Sequence, residues 1–247
     1  MQSKFWLSGV VHVFVIGLLA GCASTGPTDN PLRRSLTWFS YLGGDDLRTT
    51  CQPGSPERYR FVYNARADEQ IRTYDIIVNP SGAPPGAPSA GGRLESHVIT
   101  NGDLDRLSVV DPLRPWRGEE AEISISAADV AALRSALAAS GFDQPAPRGA
   151  FLRSDDFYWI VSACRDGVFR FNAYSRDMPS FQAIRFDAPL YAMDPLTAQV
   201  AVNPPRELHL GPFLSAQQMS RLAPGMYGPP PWQVQVGENG LKTGLFE

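Results

Sequence analysis

An α+β fold with a mostly antiparallel sheet is what this sequence predicts, and three observations predict it. Two stretches, 57–78 and 157–174, carry strand-like patterning on either side of a turn and read as hairpins. Short strand-like runs at 94–100, 106–110 and 122–126 follow the first hairpin. One alanine-rich helical segment, 127–140, separates these runs from the second hairpin. The order hairpin, strands, helix, hairpin, helix is that of an α+β chain with antiparallel pairing.

In chain order, Asn30-Pro31 is a helix start, a cap followed by a first-turn proline. Leu32, Leu36 and Phe39 share one face of this helix, and Gly43-Gly44 stops it. Arg33 and Arg34 lie near Trp38 and Tyr41, a composition that suits either lipid headgroups or packing on the helix's own domain. From Glu57 the period changes to two. Tyr59, Phe61 and Tyr63 alternate with Arg58, Arg60 and Val62, the pattern of a half-buried strand. Glu69 to Val78 is its hairpin partner. Residues 80–92 contain only Pro, Gly, Ala and Ser, which bury nothing, and a mobile loop is expected there. Leu94–Thr100 and Arg106–Val110 read as short strands around Asn101-Gly102, with another at Glu122–Ser126.

Ser126-Ala-Ala-Asp129 is a capping-box-like start for the helix that Gly141 ends. Val130, Leu133 and Leu137 fall on one face, and the alanines allow close approach to a sheet. Phe157–Cys164, Asp166-Gly167 and Val168–Tyr174 form the clearest hairpin, because Asp-Gly between strand formers is the strongest short hairpin signal. A two-residue turn pairs Cys164 with Phe169 and Trp159 with Tyr174. One face then carries Tyr158, Ile160, Ser162, Cys164, Phe169, Phe171 and Ala173. The other carries Phe157, Trp159, Val161, Ala163, Arg170, Asn172 and Tyr174. Both are largely apolar, so the hairpin is expected at the centre of the sheet. Past Pro189 the chain is proline-rich with few strong signals. A short helix from Ser215, a strand at Trp232–Val236 and a turn at Glu238-Asn239-Gly240 close it.

The first thirty residues speak about location. Lys4 precedes an uncharged run, Phe5–Leu19, about 15 residues long, within the signal-peptide range and short for a membrane span of roughly 20. It ends in Leu19-Ala20-Gly21-Cys22, which resembles the lipobox of bacterial lipoproteins. The resemblance covers about the first 22 residues and implies cleavage before Cys22, lipidation (palmitate included) of its thiol, and a signal peptide at 1–21. Several acyl chains would hold the membrane stably, at about 0.8 kcal/mol per buried methylene. Ala23 after the cysteine, where an aspartate favours the inner membrane, implies the outer membrane with the domain facing the periplasm. Residues 22–30 are then a lipidated tether, and 31–247 a single α+β domain. Two cysteines remain, Cys51 and Cys164. In an oxidising periplasm an even pair reads as a disulfide, with free thiols or a metal site as alternatives. Metal is disfavoured because His97 and His209, the histidines left after the leader, are not at ligand spacing to a cysteine.

Removing the leader leaves 21 basic against 25 acidic residues, with no basic patch or basic-aromatic repeat, so nucleic acid is excluded as a partner. No G-x-S-x-G, P-loop, GxGxxG or H-E-x-x-H motif occurs. Asp45-Asp46, Glu119-Glu120 and Asp155-Asp156 are paired carboxylates of the kind glycosidases use, but they fall in loops or at element starts, where acidic residues cap and solvate. No catalytic residue, metal or cofactor is therefore expected. Trp159, Arg170, Asn172 and Tyr174 offer aromatic planes beside hydrogen-bonding groups, a possible face for a sugar or peptide, unless the 127–140 helix covers it. The expectation is a non-enzymatic binding or assembly module of the envelope, held by its lipid and meeting other envelope proteins or glycan. An envelope hydrolase acting on glycan or peptide is the alternative.

Overall fold

The computed structural model describes residues 38–79, 90–100, 118–214 and 231–242. The fold is α+β, built on a six-stranded antiparallel sheet in the order β4-β3-β2-β1-β6-β7. Its strands are β1 (Arg58–Ala65), β2 (Gln70–Val78), β3 (Ala90–Thr100), β4 (Glu119–Ser126), β6 (Phe157–Arg165) and β7 (Val168–Ser175). A smaller sheet joins β5 (Phe151–Arg153), β8 (Gln233–Val236) and β9 (Leu241–Lys242). The first four strands run as a meander. The chain then crosses the sheet on helix α2 (Ala127–Ala139) and adds the β6–β7 hairpin beyond β1.

The hairpin has the expected register, with Arg165 opposite Val168, Cys164 opposite Phe169 and Trp159 opposite Tyr174. Asp166 and Gly167 have φ values of 53° and 70°. Positive φ at both central residues makes a type I′ turn, whose twist matches that of the strands. Helix α2 begins with the expected box: the Ser126 hydroxyl accepts from the Asp129 N–H at 3.1 Å, and Asp129 Oδ2 accepts from the Ser126 N–H at 2.9 Å. Val130, Leu133 and Leu137 are its buried residues.

Both faces of the sheet are covered. On one, α2 packs with α3 (Pro179–Gln182) and α4 (Asp187–Met193) over Tyr59, Phe61, Tyr63, Trp159 and Tyr174, and the 3₁₀ turn Pro195–Ala198 lies beside β3 and β4. On the other, the helical stretch 38–43 and the small sheet enclose Val62, Tyr158, Ile160 and Phe171. Strand β1 is therefore buried on both faces and not half-buried as its alternation suggests. Arg60 is only 2% exposed and is neutralised by Asp46 at 2.6 Å and Asp75 at 2.8 Å. Its guanidinium also lies 3.8 Å from the centre of the Tyr41 ring.

Other sequence expectations shift. The helix stops at Gly44 as expected, but α1 (Asp45–Thr50) restarts at once. Of that first helix, 38–43 is described, and Leu32, Arg33, Arg34 and Leu36 lie outside the described residues. Tyr41 and Leu42 are buried in the domain. Strand β3 begins at Ala90, so the last three residues of the expected 80–92 loop are strand. The rest of that loop, the expected 106–110 strand and the Ser215 helix lie outside the described residues. Glycine is required at 92, where a Cβ would fall 2.5 Å from the Ile77 carbonyl oxygen.

Cys51 and Cys164 form a disulfide with Cα atoms 5.5 Å apart. It joins the end of α1 to the end of β6. Among the described residues no helix is long and apolar enough to cross a membrane.

A second tie is ionic. Arg72 and Asp194 are both fully buried and paired at 3.0 Å. Asp194 also accepts from Ser96 Oγ at 2.8 Å, from the Leu196 N–H at 2.9 Å and from the Tyr74 hydroxyl at 3.2 Å. Arg72 further donates to Gln70 Oε1 and to the Val200 carbonyl. Removing one partner of such a pair leaves a buried charge uncompensated. Asp194→Ala is expected to lower unfolding free energy by about 3 kcal/mol, read by urea denaturation. A loss below about 0.5 kcal/mol would mean that the segment is held by its apolar contacts alone.

Candidate functional site

The segment that Arg72 and Asp194 tie down is one wall of a cleft of about 420 Å³. Its floor is Tyr63 of β1 and Trp159 of β6, opposite each other in register and stacked with ring centres 4.7 Å apart. Phe181, Gln182 and Ile184 of α3 and the turn after it form a second wall, with Asp187 and Tyr191 of α4 beside them. Val202, Pro204 and Pro205 complete the lining. The 200–205 wall is positioned by side chains that bond to its backbone. Gln70 Nε2 donates to the Ala201 carbonyl at 2.9 Å, the Asn203 N–H donates to Gln70 Oε1 at 3.0 Å, and the Tyr63 hydroxyl donates to the Asn203 carbonyl at 2.8 Å. These bonds occupy the Gln70 amide and the Tyr63 hydroxyl, and the cleft keeps ring and proline surface beside exposed polar atoms.

Burial, and after it the negative charge of Asp187, pushes the Tyr63 phenol far above its ordinary value. Burial does the same to Tyr191, aided by the Tyr63 and Tyr74 phenols and by Asp187. Both phenols are neutral donors at physiological pH. Asp187 Oδ1 accepts from the Ala188 N–H at 2.9 Å, and among the described residues no cation pairs with its carboxylate. The cleft thus offers ring and proline surface, one amide and one carboxylate. Sites of this composition bind small molecules or peptide side chains by apolar burial, with a few polar contacts setting orientation.

The four residues that the sequence singles out do not form one open face. Trp159 is 2% exposed, under Phe186 edge-on at 5.2 Å and Tyr191 at 6.1 Å. It reaches the cleft as floor. Tyr174 is buried against Phe186. Asn172 is 4% exposed, and its amide donates to the carbonyls of Phe142 and Gln144 at 3.3 and 3.0 Å. It holds the loop after α2. Arg170 is exposed, 3.8 Å from Asp143. The cover over Trp159 includes Phe186 and α4 as well as α2, and nothing in the patterning past residue 175 announces those short helices. Phe181, Phe186, Leu190 and Tyr191 supply the only sequence signal, aromatic and apolar residues at loose helical spacing.

The other candidates lie elsewhere. His97 sits on β3 with Nε2 at 2.9 Å from Glu95 Oε1 and Nδ1 at 3.8 Å from Glu120 Oε2. His209 is exposed beyond the proline wall. Asp45 pairs with Arg48, Asp46 with Arg60, Asp155 with Arg153 and Asp156 with Arg176. Among the described residues no group of three or more His, Cys, Asp or Glu side chains is arranged to hold a metal ion. No protein family, curated protein or solved structure matches the chain.

Proposed function

We propose that this protein is a lipid-anchored envelope lipoprotein, attached through Cys22 to the outer membrane and facing the periplasm, and that its domain is a binding module whose site is the aromatic-floored cleft. The observation that carries the binding reading is the cleft itself. It is floored by aromatic rings, set in place by partly buried hydrogen bonds, and lined by a single carboxylate with no acid–base partner among its lining residues. The disulfide fits an oxidising compartment, where such bonds persist, and the lipobox-like Leu19–Cys22 supports the anchor.

Two variants test the two halves. Cys22→Ala should abolish incorporation of a palmitate analogue, and label persisting on that variant would remove the anchor from the reading. Val202→Trp, which fills the cleft from its wall, should remove the cellular phenotype of the gene at normal abundance. His97→Ala and His209→Ala should leave that phenotype intact. The reverse pattern, with a histidine essential and the filled cleft harmless, would favour a hydrolytic site.

A further inference from the structure

We propose that the cleft selects ligands that carry one positive charge on an apolar body, an alkyl- or arylammonium group, with the cation seated against Asp187. This rests on the reading of the cleft as a binding site and adds the chemical class of what enters it.

A single carboxylate stands beside a ring-lined space. The lining contributes four aromatic rings, Ile184, Val202 and two prolines, and its one formal charge is the Asp187 carboxylate. Among the described residues, the arginines nearby are committed elsewhere. Arg72 is paired with buried Asp194. Arg206 is paired with Glu69, and its guanidinium lies 5.4 Å from the centre of the Phe157 ring. Arg185 donates to the carbonyls of Gln182 and Ile184 and is not part of the lining. Of the charges acting on the Tyr63 phenol, that of Asp187 acts more strongly than those of Arg72 and Arg206.

A carboxylate at the rim of a ring-lined cleft meets the cation of a ligand whose body the rings hold, with the strength of a partly exposed ion pair. A neutral ligand gains only the apolar contacts, and an anion meets like charge with no cation opposite. A sugar, with hydroxyls on every edge, would leave most of them facing carbon, since Gln182, Tyr191 and Asp187 are the polar side chains free to answer them. An ammonium on an apolar body matches the inventory: the body covers Tyr63, Trp159 and the prolines, and the charge meets the carboxylate.

The test uses three probes with one apolar body: 2-phenylethylammonium, 2-phenylethanol and phenylacetate, titrated calorimetrically into the full-length protein in detergent with a micelle blank. The ammonium is expected to bind about fivefold more tightly than the alcohol, as for a partly exposed ion pair, and phenylacetate more weakly than both. Asp187→Asn keeps the Oδ1 acceptor for the Ala188 N–H, so the fold is retained. It should bring the ammonium down to the affinity of the alcohol and leave the alcohol unchanged. Arg185→Gln should leave the ranking as it is. Equal binding of alcohol and ammonium, or a preference that survives Asp187→Asn, overturns the charge selection while the binding cleft stands. Failure of all three probes overturns both.

Discussion

Reduction of the Cys51–Cys164 disulfide is expected to cost about 4–5 kcal/mol, the largest single effect in the molecule. The bridged residues are 113 positions apart. Closing so long a loop removes conformational entropy from the unfolded chain by about that amount in the chain-entropy model. The native geometry needs little from the bond, because α1 already packs against β6 and the Cys51 N–H caps it on the Arg48 carbonyl. Its contribution is therefore to the unfolded ensemble, and the Cys51→Ala, Cys164→Ala double variant should fold to the same sheet with a lower midpoint. Urea denaturation of the oxidised protein against that variant reads the difference. A change under about 1 kcal/mol would show that the unfolded chain is already compact around these positions.

Trp159→Ala is expected to cost about 3–5 kcal/mol, through lost burial and the cavity left behind. Trp159 stacks on Tyr63 and carries Phe186 and Tyr191 against its other sides, so no single neighbour can collapse into the gap. In a domain of this size that corresponds to a melting temperature lower by roughly 10 °C. Arg170→Ala, on the same strand face but exposed, should change stability by less than about 0.5 kcal/mol. A Trp159→Ala protein that melts normally would mean that the ring belongs to an open surface and that its role is in ligand contact.

What could be read from the residues divides along physical lines. The 157–175 hairpin was legible to the register because Asp166-Gly167 admits one turn type, and that turn fixes every cross-strand pair. Helix α2 was legible because its cap and its apolar face are local signals. Arg60 was not, since the carboxylates that let it be buried, Asp46 and Asp75, come from separate segments and meet only in the fold. The start of β3 was hidden because Gly91 and Gly92 read as loop, whereas their missing side chains let strand backbones approach. The cleft was the least legible part. Its floor residues Tyr63 and Trp159 sit in readable strands, but its walls are two short helices and a proline-rich run without regular structure, each too brief to show a period.

The second face of the main sheet is closed by segments from the two ends of the described chain. Phe39, early in it, meets Trp232, late in it, with rings edge-on at 5.2 Å. Tyr41 and Leu42 share a cluster with Val234 and Val236. The six-stranded sheet is complete at Ser175, more than fifty residues before Gln233 opens β8. A chain delivered amino terminus first therefore presents a finished sheet whose Ile160 and Phe171 side remains partly bare until the last strand arrives. During that interval the sheet is sticky, and its fate depends on how quickly the last strand arrives. In refolding of the whole chain, weakening the late strand by Val234→Ser should lower the yield of folded protein and raise the aggregated fraction.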